Sequence, residues 1–258
     1  VELLRHSAVQ LAVMGRLVHQ HEKSEPAKDF LERSKALGSQ LVASKTIRKP
    51  KTPKPIDHLR KPFDLPSGWV WCRLPEIGEL ARGKSKHRPR NDRRLFEGGT
   101  IPLIQTGDVS QADPFIMKAN TYYNDFGLAQ SRLWPVGTLC ITIAANIAET
   151  GLLGIEACFP DSVVGFNTFE EGIDLSYFDY FIRTAKADLE KYAPSTAQKN
   201  INLEILGELL VPLPPKEELN QICARVKAIL SLCDELSAKI SRRNKSMVLL
   251  AQTLTEAA

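Results

Sequence analysis

The chain has 258 residues, 34 Lys and Arg against 30 Asp and Glu, a formal net charge of +4 and a pI near 8.8. That length buries a substantial core in one or two domains, and no apolar run is long enough for a membrane-spanning helix. Five scattered cysteines (Cys72, Cys140, Cys158, Cys223, Cys233) form no C-x-x-C pair, which argues against a zinc site or a disulfide framework. Buried thiols in a reducing cytoplasm are expected instead.

In chain order, Leu4, Leu11, Met14 and Val18 recur at helical spacing and predict a helix over Leu3–Val18. A second helix is expected from about Pro26, a residue suited to a first helical turn, to Ala43. Lys45 to Pro55 is rich in proline and lysine and reads as an extended, exposed linker. From Pro62 to Pro214 short β-like runs are broken by Gly, Pro and Asn. The predicted strands are Val70–Leu74, Ile101–Gln105, Leu139–Ala144, Gly154–Cys158 and Ser162–Phe166. One amphipathic helix carries Phe178, Phe181, Ile182, Ala185, Leu189 and Tyr192 on a single face, and that spacing marks them as core. Tyr122 and Tyr123 are expected to pack on the sheet.

The run Arg82 to Arg94 holds seven Arg or Lys against one Asp. It has no apolar periodicity, and its self-repulsion predicts an exposed loop that does not fold back on itself. Arg82, Lys84, Lys86, His87, Arg88, Arg90, Asn91, Arg93 and Arg94 are therefore candidate DNA contacts. Arg forks onto phosphate and reads guanine, while Asn91 and Gln105 are side chains of the kind that read adenine. A merely solubilising loop is the alternative. Thr106, with Gly107 and Asp108, forms a predicted turn that either orients Gln105 or closes a hairpin. Ser195, Thr196, Gln198, Lys199 and Asn200 suit phosphate and base-edge bonds, or equally a capping turn before Ile201–Leu206.

Gly78 to Ser85 spells G-x-x-x-x-G-K-S, the nucleotide-binding P-loop expression. That chemistry needs a strand before the loop and a helix after it, whose N–H groups hold phosphate. Lys86-His87-Arg88-Pro89-Arg90 offers no such helix, so the match reads as chance. Neither a methyltransferase N-P-P-Y pocket nor a nuclease carboxylate–lysine set appears. His6, His19, His21, His58 and His87 have no evident catalytic partner in sequence. No catalysis, no metal and no cofactor are expected in this chain.

After Pro214–Pro215, Leu219, Ile222, Val226, Ile229, Cys233, Leu236 and Ile240 keep a 3-4 spacing, resumed by Met247, Leu250 and Leu254. This is a coiled-coil seam on one helix about 60 Å long. It outruns what Leu3–Val18 can cover, so part of it should meet a partner.

The stretch VPLPPKEELNQI (Val211 to Ile222) resembles the junction between recognition domain and conserved helix in specificity subunits of Type I restriction–modification enzymes. LPSGWVWCRLPEIGE (Leu65 to Glu79), IPLIQTGDV (Ile101 to Val109), LCITIAANIAETGLLG (Leu139 to Gly154) and STAQKNIN (Ser195 to Asn202) resemble further segments of that domain, in the same order. LLRHSAVQLAVMGRLV (Leu3 to Val18) and EPAKDFLERSKAL (Glu25 to Leu37) resemble the end of the other conserved helix and the short helix after it.

The resemblance implies a mixed α/β target-recognition domain with a curved sheet, plus a long coiled-coil helix. Residues 1–61 would be the helix end and linker, 62–213 the DNA-reading domain, and 214–258 the conserved helix. It also implies a non-catalytic, cytoplasmic subunit, bacterial or archaeal, that reads one half of a bipartite double-stranded DNA target. Its expected partners are methyltransferase subunits and a restriction subunit, with S-adenosylmethionine and ATP held only there. The chain begins with Val1, and it reads as the C-terminal half of a longer protein or as a natural half subunit. Its seam would then meet the missing half or a second copy. A P-loop hydrolase, a scaffold that does not read DNA, and the specificity subunit of a fused restriction–modification enzyme are the alternatives.

Overall fold

The computed structural model describes residues 1–20, 25–51, 61–191 and 201–256, apart from the side chains of 191, 249–251 and 253–256. Two helices open the chain, α1 (Glu2–Val13) and α2 (Ala27–Ala43). α1 stops at Val13 rather than at the expected Val18. Gly15 takes a left-handed φ of +67°, and the Gly15 and Arg16 N–H groups donate to the Ala12 and Leu11 carbonyls at 3.1 and 2.8 Å. That is a Schellman stop, which a glycine enters without a Cβ penalty.

The central part runs β1 (Val70–Cys72), α3 (Leu74–Ile77), β2 (Gly78–Arg82), a 3-10 turn at Arg93–Leu95, β3 (Ile101–Leu103), α4 (Thr106–Ser110), β4 (Phe115–Ile116) and β5 (Thr121–Tyr123). It continues with α5 (Asp125–Ala129), β6 (Leu133–Trp134), β7 (Leu139–Thr142), β8 (Thr150–Leu153), β9 (Ala157–Cys158), β10 (Val163–Thr168), α6 (Ser176–Lys191) and α7 (Leu203–Gly207). β11 (Val211–Leu213) and α8 (Lys216–Glu256) end it.

The mixed α/β class and the long C-terminal helix are as expected. The strand predicted over Gly154–Cys158 is shortened to Ala157–Cys158, because β8 has already ended at Leu153 and the chain turns before it returns to a sheet. β2 was unforeseen. Its charged Glu79 and Arg82 disguise a strand whose five residues all pair with β10.

Strands assemble as a five-stranded sheet, β2-β10-β7-β8-β4, a four-stranded sheet, β5-β3-β9-β6, and a ribbon of β1 with β11. Side chains alternate across the larger sheet with the period of two that a pleated strand imposes. Leu139, Ile141, Val164 and Phe166 point to one core, and Cys140 and Val163 to another. The second core lies between the sheets, where Trp134 stacks on Phe159 with ring centroids 4.9 Å apart. Gly165 sits beneath this pair, since any Cβ there would strike both rings.

The first core is roofed by helices. α6 buries Phe178, Phe181, Ile182 and Leu189 as its pattern required, while Tyr192 lies outside the described residues. α1 and α2 join this core through Ala12, Val13, Ala27, Phe30 and Leu31, and α8 through Leu219, Ile222, Cys223 and Val226. Burial of each large aliphatic or aromatic side chain here contributes about 1.5–3 kcal/mol. All five cysteines are buried and free.

The start of α8 is fastened to the globule. Glu218 accepts from Trp69 Nε1 at 3.1 Å and from Gln20 Nε2 at 2.9 Å. Asn220 Nδ2 donates to the Gly172 carbonyl at 3.1 Å, and Lys227 pairs with Asp174 at 2.7 Å. Arg5 of α1 reaches Asp234 one turn beyond Leu230. The seam then emerges from cover: Cys233 is the last buried member, and Leu236, Ile240 and Met247 are 42, 38 and 61% exposed.

Candidate nucleic-acid interface

Strand register brings four connections to one rim of the two sheets. Arg82 at the end of β2 faces Val164 near the start of β10, and Thr142 at the end of β7 faces Val163. In the second sheet the end of β3, Leu103, faces Cys158 at the end of β9. The connections 83–92, 104–110, 143–149 and 159–162 therefore leave from the same end. Backbone bonds knit them together: Gly83 N–H to Val163 O (2.8 Å), Lys84 N–H to Phe159 O (3.0 Å), Ile104 N–H to Cys158 O (2.8 Å) and Ile143 N–H to Ser162 O (3.0 Å). Ile201 N–H donates to Ile143 O at 3.0 Å, so the chain re-enters this rim after residues 192–200.

The basic run is not the self-repelling loop expected from its composition. Arg82 belongs to β2, and the rest folds back on itself because two carboxylates absorb charge. Asp92 receives His87 Nε2 at 2.8 Å and Arg94 at 2.7 Å. The Arg94 guanidinium first, and His87 second, hold the Asp92 carboxyl well below the usual carboxylate range. Arg90 Nη2 donates to both oxygens of Asp161, each at 2.9 Å. Arg88 turns back to the Ser85 and His87 carbonyls, each at 2.7 Å. The Lys84 carbonyl accepts from Ser131 Oγ at 2.8 Å, and His87 N–H donates to Gln130 at 2.9 Å.

What remains outward is a smaller set. Arg82, Lys86, Asn91 and Arg93 are exposed, and the three cations among them meet no carboxylate among the described residues. Arg94 lies 5.8 Å from the centroid of the Phe126 ring, which His87 also meets edge-on at 5.4 Å. Phe126, 48% exposed on α5, was not foreseen as part of the site, and a lone Phe in a polar stretch carries no signal for it. Tyr123 is buried as expected, but Tyr122 is 40% exposed, because successive strand residues point to opposite faces.

Gln105 is exposed at the N-cap of α4, where Thr106–Asp108 forms a helical turn rather than a hairpin. Asp108 Oδ2 accepts from Gln105 N–H at 2.8 Å, and Gln105 Nε2 donates to Thr121 Oγ1 at 3.1 Å. Asn120 Nδ2 donates to Asp108 Oδ1 at 2.5 Å, and Asn146 Nδ2 to Ser110 Oγ at 3.1 Å. Ser195, Thr196, Gln198, Lys199 and Asn200 lie outside the described residues.

The P-loop expression has the wrong geometry for nucleotide. Gly78–Arg82 is a paired strand, and residues 83–92 form no helix to present N–H groups. Among the described residues, no group of three or more His, Cys, Asp or Glu is placed to hold a metal ion, and no helix is long and apolar enough to cross a membrane.

The sequence profile of the Type I restriction modification DNA specificity domain matches residues 66–243. The chain belongs to this family. It is 25% identical over 272 residues to the EcoEI specificity subunit of Escherichia coli, covering all of this chain and 45% of that protein. Identity to the EcoAI specificity subunit of the same organism is 27% over 274 residues, covering all of this chain and 44% of the relative. This member of the specificity-domain family thus spans less than half the length of these curated relatives. The crystal structure of the HsdS subunit from Thermoanaerobacter tengcongensis superposes with a TM-score of 0.53 at 17% identity, covering 92% of this chain and 48% of that one, a likeness of fold. These relatives are named as specificity subunits.

Proposed function

We propose that this chain reads one half of a bipartite double-stranded DNA target for a Type I restriction–modification complex and performs no chemistry itself. The observation that carries the reading is the rim. Connections from both sheets converge there and present unneutralised cations beside neutral hydrogen-bonding side chains, in a chain whose family is a DNA specificity domain. Residues 62–213 form the reading unit in this proposal. The exposed distal part of α8, with Leu236, Ile240 and Met247, meets the other half of a specificity subunit, a second copy or a methyltransferase subunit. A restriction subunit is a further partner in this proposal, and S-adenosylmethionine and ATP bind only in the partners.

In this proposal Arg82, Lys86 and Arg93 meet phosphate first, a reading supported by the engagement of Arg88 and Arg90 within the loop. Lys86→Ala with Arg93→Ala should flatten the log–log salt dependence of duplex binding by about 1.8, at roughly 0.9 per lost contact. An unchanged slope would remove the basic run from the interface.

A further inference from the structure

We propose that Asn120 and Asn146, together with Gln105, form a row of carboxamides that reads adenine edges in the major groove, with α4 as their common support. This rests on the DNA-reading proposal and assigns base discrimination to residues away from the basic run. The three amides come from the N-cap of α4, the β4–β5 turn and the β7–β8 hairpin. Two of them are tied to α4 itself, Asn120 to Asp108 at 2.5 Å and Asn146 to Ser110 at 3.1 Å. Both asparagines are exposed. Each tether uses one amide hydrogen, and neither side-chain oxygen Oδ1 accepts a bond among the described residues. Left over on each is one donor and one acceptor side by side, the pair that matches N7 and N6 of adenine.

The hairpin presenting Asn146 is built for a fixed display. Ala145 and Ala148 both hold left-handed φ values, +65° and +57°, which alanine rarely adopts. Tertiary contacts impose this shape. Ile147 is buried in the helical-side core, Thr142 Oγ1 donates to the Asn146 carbonyl and accepts from Glu149 N–H at 3.0 Å, and Glu149 pairs with Lys186 at 2.6 Å. Backbone strain held in place by several independent contacts is concentrated at functional loops. A neutral amide on so rigid a tip adds little to phosphate attraction, but it holds a bidentate pair in register. Ser110, whose Oγ donates to the Thr106 carbonyl at 2.9 Å while accepting from Asn146, is the positioning residue.

The experiment is selection from a randomised duplex pool by the chain with its methyltransferase subunit, comparing wild type with Asn146→Ala, Asn146→Asp, Asn120→Ala and Ser110→Ala. Thermal unfolding verifies that each variant is folded. Asn146→Ala should erase an adenine preference at a single position, with roughly tenfold weaker binding of the original site and an unchanged salt slope. Asn146→Asp, an acceptor only, should move that position from adenine to cytosine, whose N4 donates. Asn120→Ala should erase an adenine preference at another position. Ser110→Ala, should either Asn146 variant not fold, is expected to blur the position read by Asn146. A wild-type motif kept unchanged by the folded variants would overturn the carboxamide row and leave DNA reading intact. So would a slope lowered by about 0.9 in Asn146→Ala, which marks a phosphate contact. A wild-type chain that selects no motif would overturn the DNA-reading proposal beneath it.

Discussion

The long helix predicts a sharp contrast between two seam isoleucines. Ile222 is fully buried and Ile240 is 38% exposed, although both obey the same apolar spacing. Ile222→Ala removes three buried carbons, worth about 2.4 kcal/mol of transfer free energy at roughly 0.8 each. The cavity left among Leu219, Cys223 and Val226 adds to this, and the expected cost is about 3–4 kcal/mol. Ile240→Ala uncovers little in the isolated chain and trades a β-branched residue for a better helix former, so its cost should stay within about 0.5 kcal/mol. With a urea dependence near 3 kcal/mol per molar, the first variant should lose roughly 1 M in midpoint and the second almost nothing. Urea unfolding followed by far-ultraviolet circular dichroism, at two protein concentrations tenfold apart, measures both. Equal losses for the two variants, with concentration-independent midpoints, would refute the division of the seam into a buried and an open half. A loss for Ile240→Ala that grows with concentration would instead show that copies of the chain cover it.

Two further outcomes follow from the rim. The Asp92 carboxyl is held below its ordinary value in the folded chain, so its stabilising bonds are complete above the unfolded value near 3.9 and vanish only as pH falls through the lower folded value. Carboxylate carbon shifts followed by NMR should therefore show Asp92 still ionised at pH 3.9, and a midpoint near 3.9 would remove its ties to Arg94 and His87. Gly83→Ala would drive a Cβ into the Phe159 and Pro160 carbonyl oxygens and the Phe159 ring. A loss of about 1–3 kcal/mol is expected in thermal unfolding, with weaker duplex binding because the basic run is displaced from the 159–162 connection. An unchanged melting temperature would count against that close approach.

The parts of the fold that were legible are those with long periodic patterns. α6 and α8 announce themselves through 3-4 spacing, and β7 through the continuous apolar run Leu139-Cys140-Ile141. Short strands were harder. β4, β6 and β9 have two residues each, too few to display any period, and exist because neighbours supply their hydrogen bonds. β2 was hidden by charge. Its Glu79 is half-buried and bidentate with Arg132 at 2.6 and 2.7 Å, and Arg132 in turn lies 3.8 Å from the centroid of the Trp134 ring. A charged residue inside a strand is thus compensated by one more than fifty positions away, which local patterning cannot anticipate. The same holds for the basic run, whose partner Asp161 arrives from the β9–β10 connection.

The candidate interface was legible as composition but not as geometry. Periodicity tells which face a strand residue occupies; it says nothing about which end of the sheet its loop decorates. Asn146 lies some forty residues from Gln105 in sequence, and only the register of β7 with β10 and of β3 with β9 places their loops on a common rim. The mounting of α8 bears on assembly as well as on the site. If the helix sets the distance between two half-sites, a swinging joint at Pro214–Pro215 would erase that information. The joint does not swing freely here: Glu218, almost wholly buried, takes hydrogen bonds from Trp69 and Gln20, and Lys216, Asn220 and Lys227 bind the 170–174 turn. Under the proposed function, the first five turns of the rod belong mechanically to the reading domain, and the spacer proper begins where Cys233 gives way to the exposed Leu236.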